Sequence, residues 1–385
     1  MNIKKEITFI YKHKSELQNI EPIRQEANER GYKTKLSDNQ FEKCEIGVYC
    51  QHVNFPHNSK FSVIMLHDAI QSYEKWPNLW KYEPWNLYDV GFLPGKQWID
   101  NWKKSSMYDY SRTKYGVFEA GWPKADIMAA EDFEKRSKSL KNKLEIDDSK
   151  PTVLYAPSWE NDGKQDDFVQ AMLTLNVNII IKHVPLNPKE FPDIVRNIKE
   201  MANAHKTIKG VNIIDPAVSI IDAIALCDIL VSDESSTMME ATLMGKPAVA
   251  VTDWLIPDVK PSRYACSVHP FTVKTQKYNL VDTVNKVLLD YEKYSTDSKK
   301  YCDSNFSNIG SSSKIIIDVI DSIIEEKQII YNPVEPDNNL ILESDEEKKI
   351  RKKQYRNNYI YNRYIEKNAL LRNSFELYRK VRSKK

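Results

Sequence analysis

Eight short apolar runs divide this chain into two series, and each gives way to polar or turn residues before a helical pattern begins. The first series is Ile7–Tyr11, Ile46–Cys50 and Ser62–Leu66; the second is Thr152–Ala156, Val177–Lys182, Val211–Ile214, Ile229–Ser232 and Pro247–Val251. Such runs, alternating with helices like the polar Lys14–Arg30 stretch closed by Gly31, form parallel sheets covered by helices. A chain of 385 residues that is 41% hydrophobic holds material for two such cores and is too long for one. The expectation is an α/β fold with domains 1–145 and 146–330, followed by a linker and basic helical tail over 331–385.

Open parallel sheets bind ligands at the carboxyl ends of their strands, so the polar exits are where chemistry is expected. Ile229–Ser232 runs into Asp233-Glu234-Ser235-Ser236-Thr237 and then a helix that ends at Gly245. A helix start so placed offers free N–H groups and a positive dipole end, and the hydroxyls of Ser235, Ser236 and Thr237 suit a phosphate or diphosphate. Glu240, one turn on and on the same face as Ser236, is placed to accept hydrogen bonds from a ribose diol. The plainer alternative is serines that cap the helix and a solvated Glu240.

Two further strands release histidines. Ile179–His183 ends in Lys182 and His183 before Pro185 and Pro188 turn the chain away, and His183 there can donate to a phosphate and stabilise a leaving nucleotide. Phe61–Asp68 ends in His67 and Asp68, and His67, facing the other half, can serve as general base toward an acceptor hydroxyl. Asp68 points elsewhere from a strand, so no His–Asp dyad is expected. Ser158 with Trp159 overhangs the same cleft, and the Gly121–Asp126 turn brings Lys124 and Asp126 as further candidates. His13, His52, His57, His205 and His269 read as surface or structural. No HExxH, paired CxxC or acidic loop calls for a metal.

The net charge of +2 conceals an uneven distribution: Lys348–Lys385 carries fourteen basic residues against Glu366 and Glu376, leaving the remainder mildly acidic. A generally basic nucleic-acid binder is thereby disfavoured, and the tail is where an anionic partner would sit. Tyr364, Leu371 and Tyr378, seven apart with Tyr361 and Phe375 beside them, suggest a helix with an aromatic seam. Adhesion to anionic lipid, packing on the body, a coiled-coil contact between copies and a solvated face all suit it. The five cysteines, odd in number and without a CxxC pair, read as reduced thiols. The Met1–Tyr11 segment lacks the apolar core of a signal peptide, and no apolar run approaches the about eighteen residues of a membrane span. A cytoplasmic protein, peripheral at most at the inner membrane face, is expected.

Five marks occur in order: His67-Asp68, Gly121 to Asp126, Leu154 to Trp159, His183-Val184-Pro185 and Asp233-Glu234-Ser235-Ser236. Together they resemble the CDP-glycerol glycerophosphotransferase family, whose sequence of marks is His-Gly, Gly-Tyr-Pro-Arg-Asn-Asp, Leu-Tyr-Ala-Pro-Thr-Trp, His-Pro and Asp-Tyr-Ser-Ser. The resemblance covers roughly residues 60–325. It implies a GT-B-type fold of two Rossmann-like halves and metal-independent transfer of an alditol phosphate from a CDP-linked donor to a lipid-linked or polymeric glycan hydroxyl. Carried over by position, His67 is the base, His183 and the Ser235–Thr237 turn hold the donor phosphates with Ser158 beside them, and Glu240 takes the ribose. Asp68, Lys124-Ala125, Val184 and Glu234 depart from the family pattern, which touches substrate identity more than fold. Asp233 completes the set of cleft candidates. Two other functions stay open: a GT-B glycosyltransferase using a UDP-, GDP- or CMP-linked sugar, and a non-catalytic relative that binds nucleotide or glycan.

Overall fold

The computed structural model of the chain describes residues 2–51, 54–69, 79–257, 259–260, 262–266, 270–365, 368, 371–372 and 374. His52, His269, Phe375 and Tyr378 lie outside the described residues.

The first half is a sheet of β1 (Glu6–Ile10), β2 (Lys33–Ser37), β3 (Cys44–Cys50), β4 (Ser59–Met65), β5 (Val90–Leu93) and β6 (Val117–Glu119). All pairings are parallel, in the order β2-β1-β3-β4-β5-β6. The second half holds β7 (Thr152–Tyr155), β8 (Asn178–Lys182), β9 (Val211–Ile214), β10 (Ile229–Ser232), β11 (Ala248–Val251) and β12 (Val273–Thr275), again parallel. Its order is β9-β8-β7-β10-β11-β12, the doubly wound arrangement in which winding reverses between the first strand and the fourth. Val231 pairs with Tyr155 there, so the exits of β10 and β7 lie side by side and bound a crevice.

Every residue of β7, β8, β10 and β11 is buried, because helices cover both faces, and this is why these strands read as unbroken apolar runs. The expected strands are present within a few residues of their predicted ends. Four others escape the apolar criterion. β2, Lys-Thr-Lys-Leu-Ser, is an edge strand that buries only Ser37, and β12 is a three-residue edge. β5 and β6, four and three residues long, are too short to stand out.

The chain-order boundaries differ from the spatial ones at two helices. Helix Phe133–Lys143 precedes the expected boundary at 145, yet Phe133 and Leu140 pack with Ile220, Ile224 and Leu230 of the second half. Helix Ser312–Ile324 falls within the expected 146–330 domain, yet Ile315, Ile316, Ile320 and Ile324 complete the core of the first, against Ile20, Ile23 and Phe61. Each helix lies over the half whose apolar face it covers, and sequence proximity does not decide which.

The segment expected as a linker is packed. Val334 N–H donates to Val117 O at 2.7 Å, and Glu343 is buried in an ion pair with Arg351 at 2.5 Å. Helix Asp345–Ile360 begins with a capping box, Ser344 accepting from Glu347 N–H at 3.2 Å. Tyr355 and Tyr359, four apart, dock on the first half: their rings lie 5.6 and 5.1 Å from Phe55, and Tyr359 lies 5.2 Å from Phe41. The docking face is therefore this pair rather than the expected seam, of which Tyr364 and Leu371 are exposed. Lys349, Lys352, Lys353 and Arg356, at helical spacing, form an exposed stripe.

Candidate active site

A cavity of about 210 Å³ opens between the halves where the exits of β4, β7, β8 and β10 converge. It is lined by His67 and Asp68 after β4, Ser158 after β7, Lys182 and His183 at the end of β8, and Ser235, Ser236, Thr237 and Glu240 after β10; Lys124 enters from the first half. Nine of the eleven residues proposed from sequence thus share one space.

Asp126 and Asp233 do not line it. Asp126 caps helix Ser312–Ile324, accepting from Ser312 N–H at 3.1 Å and Ser313 N–H at 2.7 Å. The Gly121–Asp126 turn is chiefly a joint: at Gly121, with φ +97°, a Cβ would stand 2.4 Å from Ser307 O, so only glycine fits. Asp233, fully buried, accepts from Ser158 N–H at 2.8 Å and Lys164 Nζ at 2.9 Å, holding the loop after β7 against the exit of β10. Glu234 likewise ties down the 256–264 segment, accepting from Ile256 N–H at 3.3 Å and from the Ser262 hydroxyl. These carboxylates shape the cavity walls from behind.

The serine turn leads into helix Thr237–Thr242, shorter than the expected run to Gly245. A helix of six residues has a small dipole, which leaves more of any anion binding to hydroxyls and cations. Ser236 stands at its N-cap without a side-chain capping bond, whereas Ser235 Oγ accepts from Thr237 N–H at 3.2 Å.

Two lysines supply the cations. Lys182, 3% exposed, donates to His183 O at 2.7 Å and Pro216 O at 3.0 Å. Burial, and then the charge of Lys124, push its pKa down to about 8. Lys124 reaches Glu240 Oε1 at 2.5 Å, joining the halves across the cavity. Burial raises the Glu240 pKa against the opposing pull of Lys124. Its other oxygen, Oε2, is buried without a hydrogen bond among the described residues.

His183 is buried and donates from Nε2 to Gln165 Oε1 at 2.7 Å; burial and then Lys182 push its pKa down to about 3, so the ring is neutral. His67 is fixed through its carbonyl, which accepts from Asn19 Nδ2 at 2.9 Å, and the Glu16 carboxylate lies within electrostatic reach of its ring. Glu16 is itself buried and accepts from the N–H groups of Lys12 and His13 at 3.0 and 3.3 Å.

Lys182, Gln165 and Glu16 are the site residues that sequence reasoning missed. Lys182 was visible beside His183, but a lysine at a strand exit reads as solvated. His205, read as a surface or structural residue, is buried and bonded to Gln165 at 2.9 Å. His13 lies 3.2 Å from Glu190 across the halves, and His57 packs beside Tyr355. Among the described residues no group of three or more His, Cys, Asp or Glu is arranged to hold a metal ion.

Two Rossmann-type halves closing on a cavity lined by hydroxyls, two lysines and two carboxylates define a GT-B-type fold, and known proteins narrow the class. The family model described as CDP-Glycerol:Poly(glycerophosphate) glycerophosphotransferase matches residues 99–321, and the chain belongs to that family: it is a CDP-alditol phosphotransferase of the glycerophosphotransferase class. The wall teichoic acid polymerase TagF superimposes with TM-score 0.62 at 13% identity, over 84% of this chain and 90% of that one. A putative UDP-N-acetylglucosamine 2-epimerase from Listeria monocytogenes gives TM-score 0.58 at 13% identity, covering 86% and 99%. The UDP-GlcNAc 2-epimerase from Neisseria meningitidis gives 0.54 at 14%, covering 83% and 99%. At such identities these structures support the fold alone. No curated protein matches the chain.

Proposed function

We propose that the acceptor hydroxyl gives its proton to His67 and attacks the outer phosphorus of a CDP-alditol, breaking the bond to CMP. Lys124, Lys182 and the Ser235–Thr237 turn hold the diphosphate and take up charge on the departing CMP, and Glu240 meets the ribose diol. The convergence of Lys182 and Lys124 on one cavity carries this reading: an amine whose pKa is pushed down by burial and a neighbouring cation gains most from a bound anion. The reaction needs no metal in this scheme, since these groups supply the positive charge.

A groove of about 860 Å³ shares Pro185 and Leu186 with the cavity and is lined by Lys14, Lys189 and Arg372 beside Phe41 and Phe191. It suits an acceptor chain carrying phosphates, with its terminal hydroxyl at His67. Among the described residues no helix is long and apolar enough to cross a membrane. The exposed Lys349–Arg356 stripe supports peripheral attachment to anionic lipid on the cytoplasmic side, where such acceptors are anchored.

Calorimetric titration with CMP, CDP, UDP and GDP, with and without magnesium, tests the reading. Cytidine-selective binding that is indifferent to magnesium and weakened by Lys182→Gln is expected. Preference for UDP or GDP would instead identify a nucleotide-sugar transferase, and no binding at all a non-catalytic relative.

A further inference from the structure

One amide in the cavity wall belongs to the first half and is held by the second. Gln18, on the opening turn of helix Leu17–Glu29, accepts at Oε1 from Ile220 N–H at 3.3 Å. Ile220 is the first residue of helix Ile220–Leu226, and Ser219 Oγ accepts from the next N–H, that of Ile221, at 3.2 Å. Gln18 therefore satisfies a helix-start N–H that the helix itself leaves open. Gln18 and Ile220 both line the cavity, together with His67, Lys124 and Lys182.

We propose that Gln18 is a further donor-binding residue, its amide NH₂ donating to the outer phosphate of the nucleotide diphosphate while the two halves are closed on each other. This rests on the cavity being the donor site.

The orientation of the amide follows from its partner. A backbone N–H can only donate, so the end of Gln18 that meets Ile220 is the oxygen, and the other end is an NH₂ that can only donate. Gln18 Nε2 makes no hydrogen bond among the described residues, and the side chain is half-buried at the cavity wall. A ligand beside it must accept, and phosphate oxygens accept without competing as donors.

The place of Gln18 selects the outer phosphate. Asn19, the next residue, donates from Nδ2 to the His67 carbonyl at 2.9 Å, so the amide and the base are carried by the same contact between helix and strand exit. The phosphorus under attack must lie within reach of a hydroxyl at His67, on the first-half side of the cavity, while the Ser235–Thr237 turn lies on the second. Of the other first-half groups in the wall, Lys124 is engaged by Glu240 Oε1, Asp68 repels a phosphate, and the Ser15 hydroxyl can donate or accept.

The Ile220 bond makes this contact depend on closure. His13 and Glu190, 3.2 Å apart, join the halves on the same side of the molecule. With the halves apart, Ile220 N–H is withdrawn and the amide is free to turn; with them together, the NH₂ is aimed as His67 arrives.

Calorimetry of the full chain with CMP and CDP tests this, because CMP lacks the outer phosphate. Gln18→Met is expected to bind CDP about tenfold more weakly and CMP as the wild type does. Gln18→Glu keeps an oxygen for Ile220 N–H but turns a carboxylate oxygen toward the phosphate, and is expected to bind CDP more weakly still. A residue that merely ties the halves would give the opposite order, with Gln18→Met losing both nucleotides equally and Gln18→Glu restoring them, and that result overturns the proposal. Unchanged CDP affinity in Gln18→Met overturns it too, while the donor site stands. If the wild type binds neither nucleotide, the donor reading fails and the role of Gln18 with it. Where Gln18→Met does not fold, the ratio of CDP to CMP affinity in Gln18→Glu decides.

Discussion

Lys124 and Glu240 meet at 2.5 Å across the cavity, one from the joint of the first half and the other from the helix after β10 of the second. The pair nearly disappears from solvent, with the side chains 12% and 1% exposed. It closes the place where a ribose is proposed to bind, so a donor either shares Glu240 with Lys124 or displaces it.

Breaking that pair from one side strands a buried carboxylate. Lys124→Met is expected to cost about 3 kcal/mol of unfolding free energy, the usual scale for an uncompensated buried charge, and to raise the Glu240 pKa further. Denaturant melts of Lys124→Met and of Lys124→Met with Glu240→Gln check this, since the double variant should regain most of the loss.

The base is tested by separating binding from turnover. His67→Ala is expected to lower kcat by about 10²- to 10⁴-fold, the range for a lost general base, with CDP affinity unchanged. An equal loss in both would place His67 on the donor rather than the acceptor.

Diphosphate affinity should depend on pH through Lys182. Below about 8, the value to which burial brings its pKa, the amine is already charged and meets the anion at no cost. Above it, binding must first take up a proton, so affinity is expected to fall by up to about tenfold per pH unit. Calorimetry from pH 6.5 to 9.5 measures the slope, and Lys182→Gln should remove it.

Glu160 sets a pH dependence of stability. Burial raises its pKa to about 7, though Tyr155 Oη and Gln165 N–H both donate to it. The folded state thus holds a proton that the unfolded state releases near the ordinary value of 4.5, so stability falls as pH rises from there and the penalty is complete above about 7. Glu160→Gln is expected to gain up to about 3 kcal/mol above pH 7 and nothing at pH 4, as read by melts at the two pH values.

Reversing the charge of Lys349, Lys352, Lys353 and Arg356 to Glu leaves the Tyr355 and Tyr359 contacts in place. Sedimentation with vesicles containing anionic lipid is expected to show loss of binding in this variant with its melting temperature kept. Undiminished binding would move the membrane contact elsewhere.

The positions of His67, His183 and Ser235–Thr237 were legible because strand ends converge by topology, and apolar runs reveal strands. Asp126 and Asp233 were misplaced because a carboxylate that caps a helix from behind stands in the same pattern as one that faces a ligand. Gln165 and His205 were invisible for another reason: a hydrogen-bond network joins residues forty apart in the chain, and nothing periodic marks it. The edge strands were missed because they bury too little to need apolar residues.

The exchange of helices Phe133–Lys143 and Ser312–Ile324 between the halves bears on how the chain can be divided. A cut at residue 145 yields fragments that each carry the missing roof of the other. Neither piece is self-sufficient, because each exposes an apolar core and an unclaimed amphipathic helix. Co-expressed, the two have every reason to find one another, which makes this boundary a natural place for fragment complementation and a poor one for isolating a domain.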